Sequence, residues 1–198
     1  MKIEIRPYHI TDLNSLYRIC LLTGYNGGDS SSILKDPDLI GHLFAAPYAI
    51  LEPDLCFILT MDSAPYGYIL GTEDSIAFYE KCEEKWFPKI RERYPLPEKE
   101  ENSLESNFIR HLHRGHIVEK GLEDYPAHLH IDILPIAQGK GYGRKLVETF
   151  LNQLKSKSIP GVHLIVSKNN QNAIGFYQQV GFQKLKELEE CIAFGQKL

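Results

Sequence analysis

The sequence predicts a mixed α/β domain in which helices flank one central sheet. Short apolar runs, typical of buried strands, alternate along the chain with longer segments whose apolar residues recur at helical spacing. Clusters of glycine, proline, asparagine and serine separate these segments. The length of 198 residues fits one domain, since domains commonly span about 100–200 residues. We therefore predict a single domain over residues 1–198, with a sheet of about six to seven strands.

The first elements are a strand, a helix and a loop. Residues 3–8 (IEIRPY) alternate apolar and polar side chains and predict a strand. Thr11 or Asp12 is placed to cap the helix that follows. The glycine- and serine-rich stretch 23–32 then predicts a loop, and loops of this length inside a domain are often functional.

A second helix and a hairpin come next. Asp36 precedes Pro37, which predicts a helix capped by Asp36 with proline in its first turn. Residues 55–62 form an apolar run suited to a buried strand. Residues 66–74 predict its hairpin partner, because the turn sequence SAP separates the two runs.

The middle of the chain predicts a helical insertion over about residues 75–116. Apolar and aromatic residues recur at helical spacing over 75–94, with a break at Pro88. The polar stretch 95–103 predicts a solvated connector. A second helical segment begins at Leu104, so the insertion precedes the next strand.

The last third of the chain predicts alternating strands and helices. Gly181 is placed to terminate the last helix, since glycine is common just beyond helix ends. The elements are a strand over 127–135, a helix over 141–157, a strand over 162–167, a helix over 170–182, and closing strands over 182–188 and 191–196.

Composition and charge exclude several function classes. The formal net charge is −4, so no basic surface predicts nucleic-acid binding. No apolar run approaches the roughly 20 residues that a membrane span needs, and the N-terminus lacks the apolar segment of a signal peptide. Four cysteines lie far apart without a CxxC pair, which is typical of buried thiols in a reducing compartment. We expect a cytoplasmic protein. The oligomeric state is open, and a homodimer is compatible with the sequence.

Glycine alternates with larger residues in QGKGYGRKL, the stretch from Gln138 to Leu146. It follows a predicted strand and opens a predicted helix, where bare backbone lets N–H groups converge on an anion at the positive end of the helix dipole. The stretch matches neither a Walker A loop nor a GxGxxG dinucleotide loop. A diphosphate site and a plain tight turn are the two interpretations that remain.

Two longer stretches resemble signatures of the GNAT acetyltransferase superfamily. IDILPIAQGKGYGRKL is similar to the first, an apolar strand and proline followed by Gln/Arg-x-x-Gly-x-Gly/Ala. NQNAIGFYQQVGF, residues 170–182, is similar to the second, Asn-x-x-Ala followed by Phe-Tyr and Gly-Phe. The front half contains GGDSSSILKDPDLIGHLFAAPYAILEPDLCFIL (27–59) and GYILGTEDSIAFYEKCEEKWFPKIRERYP (67–95). These stretches resemble the bacterial acetyltransferase-like domain that is related to the C-terminal domain of O-GlcNAc hydrolases.

The resemblance implies a GNAT fold and an acetyl-CoA-dependent N-acetyltransferase. Such an enzyme transfers the acetyl group to a primary amine of a small molecule or peptide, by direct attack in a ternary complex. The alternative is a catalytically silent pseudo-acetyltransferase module that binds acetyl-CoA without turnover.

The resemblance also implies which residues hold the cosubstrate. Ile131 and Ile133 would offer backbone groups to the pantetheine arm, and Phe176 would pack along that arm or in the core. Asn170 would bond the arm, although it is equally suited to cap a helix. The residues implied at the diphosphate are Gln138, Gly139, Lys140, Gly141, Tyr142, Gly143 and Arg144.

Tyr177 is the predicted general acid, because a phenol near the sulfur can protonate the departing thiolate; a core tyrosine is the structural alternative. For the base that deprotonates the amine, Asp132 is the first choice and His130 the second. Period-two alternation places both on one strand face with His128. Further candidates for the base are Glu52, Asp54 and Glu73.

Five of the eight histidines lie between positions 111 and 130. No cysteine or carboxylate stands at metal-ligand spacing beside the HLHRGH run, which begins at His111. We therefore expect no metal.

Overall fold

The computed structural model describes residues 2–116 and 118–198. Within them, seven strands form one sheet in the order β1-β2-β3-β4-β5-β7-β6. All neighbouring strands are antiparallel except β4 and β5. The strands are β1 (Ile3–Pro7), β2 (Cys56–Met61), β3 (Ala64–Thr72), β4 (Ala127–Ile133), β5 (Gly161–Ser167), β6 (Gln183–Glu187) and β7 (Cys191–Lys197). The predicted mixed sheet of six to seven strands is confirmed.

Eight α-helices flank this sheet in the described residues. They are α1 (Leu13–Thr23), α2 (Leu39–Phe44), α3 (Ala46–Leu51), α4 (Ser75–Lys85), α5 (Phe87–Arg93), α6 (Leu104–Arg114), α7 (Tyr142–Ser156) and α8 (Gln171–Gln179). The helices α4 to α6 precede the central strand β4, as the predicted insertion requires. Among these helices, none combines the length and the apolar character needed to cross a membrane.

Two hydrophobic cores lie on opposite faces of the sheet. Successive side chains of a strand point to opposite faces, so Cys56 and Ile58 of β2 join the core beneath α1 to α6. Phe57 and Leu59 of the same strand join the core beneath α7 and α8. Burial on both faces explains why the apolar run 55–62 shows no alternation.

Two helix boundaries differ from the sequence prediction. The helix expected to begin at Pro37 begins at Leu39, and Asp36 does not cap it. Both oxygens of the Asp36 carboxylate are engaged: Oδ1 accepts a hydrogen bond from Asp38 N–H in the turn before the helix, and Oδ2 forms an ion pair with Arg93. The ion pair with Arg93 holds the segment before α2 against α5.

The second difference lies in the insertion. The helix expected over 75–94 is interrupted at Trp86, before Pro88. Proline has no N–H to donate and is suited to the first turn of a helix. It therefore lies in the first turn of α5.

The sheet opens between β4 and β5. Their parallel pairing ends at His128 and His163, although β4 continues to Ile133 and β5 to Ser167. Beyond the last pair the two strands diverge, and β4 has a hydrogen-bonded neighbour on the β3 side alone. This opening in the centre of the sheet positions the site described next.

Candidate active site

A cleft of about 690 Å³ lies along the end of β4, where that strand no longer pairs with β5. Four segments line it: the end of β4, the glycine-rich turn before α7, helix α8, and the loop that follows α1. The residues predicted for the site that line it are Ile131, Asp132, Ile133, Gln138, Gly139, Gly141, Gly143, Arg144, Asn170, Phe176 and Tyr177. Most of the site predicted from sequence therefore comes together around one cavity.

The backbone of β4 directs hydrogen-bonding groups into this cleft. Leu134, the residue that follows β4, donates its N–H to the carbonyl of Tyr66 in β3. Alternate residues of an antiparallel strand face the same neighbour, so the N–H and C=O groups of Ile131 and Ile133 face away from β3. The Gln138 side-chain amide donates to the Ile133 carbonyl at 2.7 Å, which agrees with this direction. Peptide groups on an open strand edge can bond an extended ligand arm.

The glycine-rich turn is held in a conformation that favours glycine. Gly139 has φ +70° and Gly141 has φ +80°, and a Cβ on either would meet no atom within 4 Å. The backbone angle, and not lack of space, therefore requires glycine at both positions. Gly141 is the N-cap of α7 and makes no side-chain cap, which leaves the first N–H groups of this 15-residue helix free for an anion.

Gly143 serves a different purpose from the glycines before it. A Cβ at this position would lie 3.0 Å from the Phe176 ring, so the absence of a side chain lets α7 and α8 approach closely. Phe176 itself lines the cleft and packs against the core beneath α7. Both interpretations of Phe176 are thus compatible with its position.

Asn170 caps α8 and also lines the cleft. Its side-chain oxygen accepts a hydrogen bond from Ala173 N–H at 3.1 Å. This interaction uses the oxygen and leaves the amide nitrogen available to a ligand. Across the cleft, a Cβ on Gly27 would lie 3.8 Å from the same side chain.

Tyr177 is buried at the inner wall of the cleft. Burial raises the pKa of its hydroxyl above the ordinary value, and the negative charge of Asp132 raises that pKa further. The phenol is therefore protonated at neutral pH. Its hydroxyl makes no hydrogen bond to any residue in the described part of the chain.

Asp132 is partly buried and held by hydrogen bonding. The Tyr68 hydroxyl donates to its Oδ2 at 2.6 Å. The Nε2 atom of His130 lies 3.0 Å from the same oxygen, but the ring N–H does not point at it, so this nitrogen has no aligned partner. Asp132 lines the cleft, whereas His130 lies behind it against Phe44.

His128 lies in the core, away from the cleft. Its Nε2 is 2.8 Å from the Tyr48 hydroxyl and its Nδ1 is 2.7 Å from Ser75 Oγ. Burial lowers the pKa of this histidine well below its ordinary value. Both ring nitrogens are occupied, so the structure does not favour His128 as the base.

The three acidic alternatives lie near the other end of β4, where Thr72 pairs with His128. Glu52 forms an ion pair with Lys81, and Glu73 forms one with Lys157 at 2.7 Å. None of Glu52, Asp54 and Glu73 lines the cleft. Asp132 remains the carboxylate in position.

The charged and aromatic side chains of the turn point in different directions. Lys140 Nζ donates to the carbonyl of Ile136 at 2.8 Å, and Arg144 donates to the carbonyl of Gln179 at 3.0 Å. Tyr142 lines a shallow groove beside β1, outside the cleft. Tyr142 can therefore serve a ligand in the cleft through its N–H group only.

The sequence analysis marked the stretch 23–32 as a loop of a functional length but assigned none of its residues to the cosubstrate site. Thr23, Asn26, Gly27 and Gly28 all line the cleft, and Gly27 has φ +87°. The unusual length and glycine content of the stretch 23–32 were the signals available. Asn172 and Gln179 of α8 also line the cleft and carried no motif.

A further cluster lies beside the cleft. The ligand atoms of Cys20, His130 and Asp132 all lie within 4.8 Å of one another. The histidine of this cluster is His130 and does not belong to the HLHRGH run. The fold brings Cys20 of α1 next to His130 and Asp132 of β4.

Comparison with known proteins agrees with this architecture. SsHAT, a protein of known crystal structure, superposes with a TM-score of 0.94 at 36% identity, covering 100% of this chain and 98% of that one. The N-acetyltransferase PaiA from Thermoplasma acidophilum, solved in complex with coenzyme A, shares the fold, with a TM-score of 0.63 at 16% identity and full coverage of both chains.

Protein O-GlcNAcase of Rattus norvegicus is 28% identical over 188 residues, which is 93% of this chain. The chain spans only 20% of the length of that relative. The model of the acetyltransferase (GNAT) family matches residues 77–182, the segment that contains both signature stretches and the central strand. The chain therefore belongs to the GNAT acetyltransferase family.

Proposed function

We propose that this protein is an acetyl-CoA-dependent N-acetyltransferase that transfers the acetyl group to a primary amine by direct attack in a ternary complex. One observation carries the proposal: the cleft joins open peptide groups of β4 and the N-terminus of α7 to both Asp132 and Tyr177. An arm bound along the strand would thus present its reactive end to a carboxylate and a phenol.

The residues of the cleft fit acetyl-CoA. The N–H groups at the start of α7 would hold the diphosphate, supported by Gly139 and Gly141 in their positive-φ conformation. The peptide groups of Ile131 and Ile133 would bond the pantetheine arm, and the Asn170 amide would add a donor. Bound acetyl-CoA supplies an acetyl group that is activated as a thioester.

Asp132 and Tyr177 divide the proton transfers between them. As the amine nitrogen forms its bond to the carbonyl carbon and the carbon–sulfur bond breaks, Asp132 accepts the proton that nitrogen loses. Tyr177 donates its phenolic proton to the departing sulfur. Because its pKa is raised, the phenol is reprotonated from solvent after each turnover. His130, whose Nε2 lies 3.0 Å from Asp132 Oδ2, is the second candidate for the base.

Substitution of Tyr177 by phenylalanine tests the proposal. We expect Tyr177→Phe to lower kcat by about 10²–10⁴, the usual contribution of a positioned acid, while coenzyme A affinity is retained. Product formation is followed by mass spectrometry over a panel of primary amines that includes small molecules and peptides. Tyr125→Phe is the matched control, because Tyr125 lies outside the cleft. An unchanged kcat in Tyr177→Phe would remove Tyr177 from the mechanism.

The second candidate is a silent module that binds acetyl-CoA without turnover. The likeness over 93% of the chain to part of protein O-GlcNAcase, whose name denotes no acetyl transfer, favours it. The same amine panel separates the two candidates. Coenzyme A binding without product from any amine would support the module and contradict the enzyme.

A further inference from the structure

Three chemically different metal-ligand atoms meet beside the cleft. Sγ of Cys20, a ring nitrogen of His130 and a carboxylate oxygen of Asp132 lie within 4.8 Å of one another. Cys20 is buried on α1, and the two other residues lie on the β4 face that packs beneath it. The cluster thus has one thiol, one imidazole and one carboxylate on rigid elements.

The donor set suits zinc. Zn²⁺ is bound by sulfur, nitrogen and oxygen at about 2.0–2.3 Å, so donors in a tetrahedral site are about 3.3–3.8 Å apart. Movements of about 1 Å or less in each side chain would bring this trio to that spacing. A thiolate and a carboxylate together balance the charge of a divalent cation, and a sulfur donor disfavours Mg²⁺ and Ca²⁺, which select oxygen.

Two contacts indicate more than chance proximity. The buried Nε2 of His130 has no aligned hydrogen-bond partner, although Asp132 Oδ2 is 3.0 Å away. This nitrogen therefore lies close to a carboxylate oxygen without a hydrogen bond between them, and it is available as a metal ligand. The Tyr68 hydroxyl donates to the same oxygen, Oδ2, and so fixes the carboxylate beside the two other donors.

We propose that Cys20, His130 and Asp132 form a reversible three-ligand site for Zn²⁺ beside the cleft. Zinc bound there engages the carboxylate of Asp132 and withdraws it from the amine, so occupation of the site inhibits acetyl transfer. The inhibitory consequence rests on the proposed function, whereas the binding site does not.

Cobalt provides a spectroscopic test that does not depend on catalysis. Co²⁺ is added to the metal-free full chain, without coenzyme A, and a thiolate-to-cobalt charge-transfer band is expected to saturate at one equivalent. Cys20→Ser should lose this band, and Zn²⁺ should displace it from the wild type. Cys82→Ser is the matched control, since Cys82 is also a buried helical cysteine and lies outside the cluster. No band in the wild type, or an unchanged band in Cys20→Ser, overturns the site.

Zinc affinity gives a second readout through competition with a chromophoric chelator. We expect Cys20→Ser to bind Zn²⁺ at least about 100-fold more weakly, since loss of an outer partner alone costs about 10–100-fold. Thermal unfolding shows whether the variant is folded. Should it fail to fold, His130→Ala replaces it in the same titration, and wild-type affinity in that variant overturns the site.

The inhibitory role is tested by measuring the acetylated product. An assay of the coenzyme A thiol is avoided, because zinc also binds that thiol. Each variant is compared with its own zinc-free rate. Zn²⁺ should inhibit the wild type and Cys82→Ser, and Cys20→Ser should require at least about 100-fold more zinc. Zinc that binds the wild type without inhibiting it overturns the inhibitory role. A chain with no transferase activity but with the cobalt band refutes the proposed function and supports the site.

Discussion

The Tyr68 hydroxyl donates a hydrogen bond of 2.6 Å to Oδ2 of Asp132. The two residues are register partners on β3 and β4, and Tyr68 is fully buried. A side chain with no freedom to move therefore fixes the carboxylate that we propose as the base. The contact links the core beneath α1 to Asp132, the proposed base in the cleft.

Tyr68→Phe should separate positioning from binding. Loss of a hydrogen bond to a charged group costs about 1.5–3 kcal/mol of stability, and we expect kcat to fall with little change in coenzyme A affinity. Combined with Asp132→Asn, the loss in kcat should be non-additive, because both changes disrupt one unit. Urea unfolding measures stability, calorimetry measures the affinity for coenzyme A, and the rate of acetylated-product formation gives kcat.

Tyr94→Phe is the matched control for this variant. The Tyr94 hydroxyl also donates to a carboxylate, that of Asp36, at 2.9 Å, but it lies outside the cleft. It should lose stability without losing kcat. A wild-type kcat in Tyr68→Phe would contradict the positioning role.

Two helical glycines should respond in opposite ways to alanine. A Cβ on Gly143 would lie 3.0 Å from the Phe176 ring, whereas a Cβ on Gly175 would meet nothing within 4 Å. Gly175→Ala should stabilise the protein by about 0.5–1 kcal/mol, the difference in helix propensity. Gly143→Ala should displace Phe176 and weaken coenzyme A binding. Thermal unfolding measures the stability of both variants, and calorimetry measures their affinity for coenzyme A. The same change in stability and in affinity for both variants would contradict the close approach of α7 and α8.

Asn170 combines a structural role with a proposed binding role, and two variants separate them. Asn170→Ala removes the cap of α8 and should cost about 1 kcal/mol of stability. Asn170→Ser retains a capping oxygen, so it should regain most of that stability. It lacks the amide donor, and its affinity for coenzyme A should stay as low as that of Asn170→Ala. Full affinity in the serine variant would show that capping is the only role.

The buried histidine His128 is neutral in the folded protein. Ser75 Oγ donates to the carbonyl of Pro126 at 2.6 Å, so its single proton is used and His128 Nδ1 must be the donor to Ser75. Nε2 then accepts from Tyr48. Protonation of Nε2 would place a charge in the core and force the Tyr48 hydroxyl to change from donor to acceptor, which agrees with the pKa of His128 that burial lowers.

Stability should therefore fall in mild acid. Burial lowers the pKa of His128 and of His163, and it lowers that of His116 to about 3. Below about pH 6.5 the unfolded chain binds protons that the folded chain does not, so each histidine costs about 1 kcal/mol between pH 6.5 and 5.5. Stability is retained above this window and lost as the pH falls through it.

Urea unfolding at pH 7.5 and 5.5 measures this dependence. His128→Gln should reduce the loss between the two values by about 1 kcal/mol, whatever its effect at pH 7.5. Asn152→Gln, a change at an exposed side chain that does not titrate, should leave the loss unchanged. A pH-independent free energy of unfolding in the wild type would contradict the burial of neutral histidines.

Local patterns predicted most of the fold. The alternation in residues 3–8 and the apolar run 55–62 located strands that the structure contains, and the glycines at 139 and 141 marked the turn before α7. The start of α2 was wrong by two residues: Asp36 caps a turn through Asp38 N–H, and the helix begins after that turn. The ion pair of Asp36 with Arg93, a residue distant in sequence, leaves no local signal.

The lining of the candidate site was predictable where its residues are neighbours in sequence. Two contiguous motifs, Ile131 to Arg144 and Asn170 to Tyr177, supply most of the predicted residues. Most of those residues line the cleft. Gly27 beside Asn170 and Cys20 beside His130 depend on the crossing of α1 over the sheet. A single sequence carries no periodicity that encodes such contacts.

Hydrogen–deuterium exchange with and without acetyl-CoA tests the central claim most directly. Binding along the opening of the sheet predicts slower exchange at the amides of Ile131 and Ile133 and at residues 139–144, with no change in β2. Protection of any other segment in their place, or no protection at saturating acetyl-CoA, would contradict it.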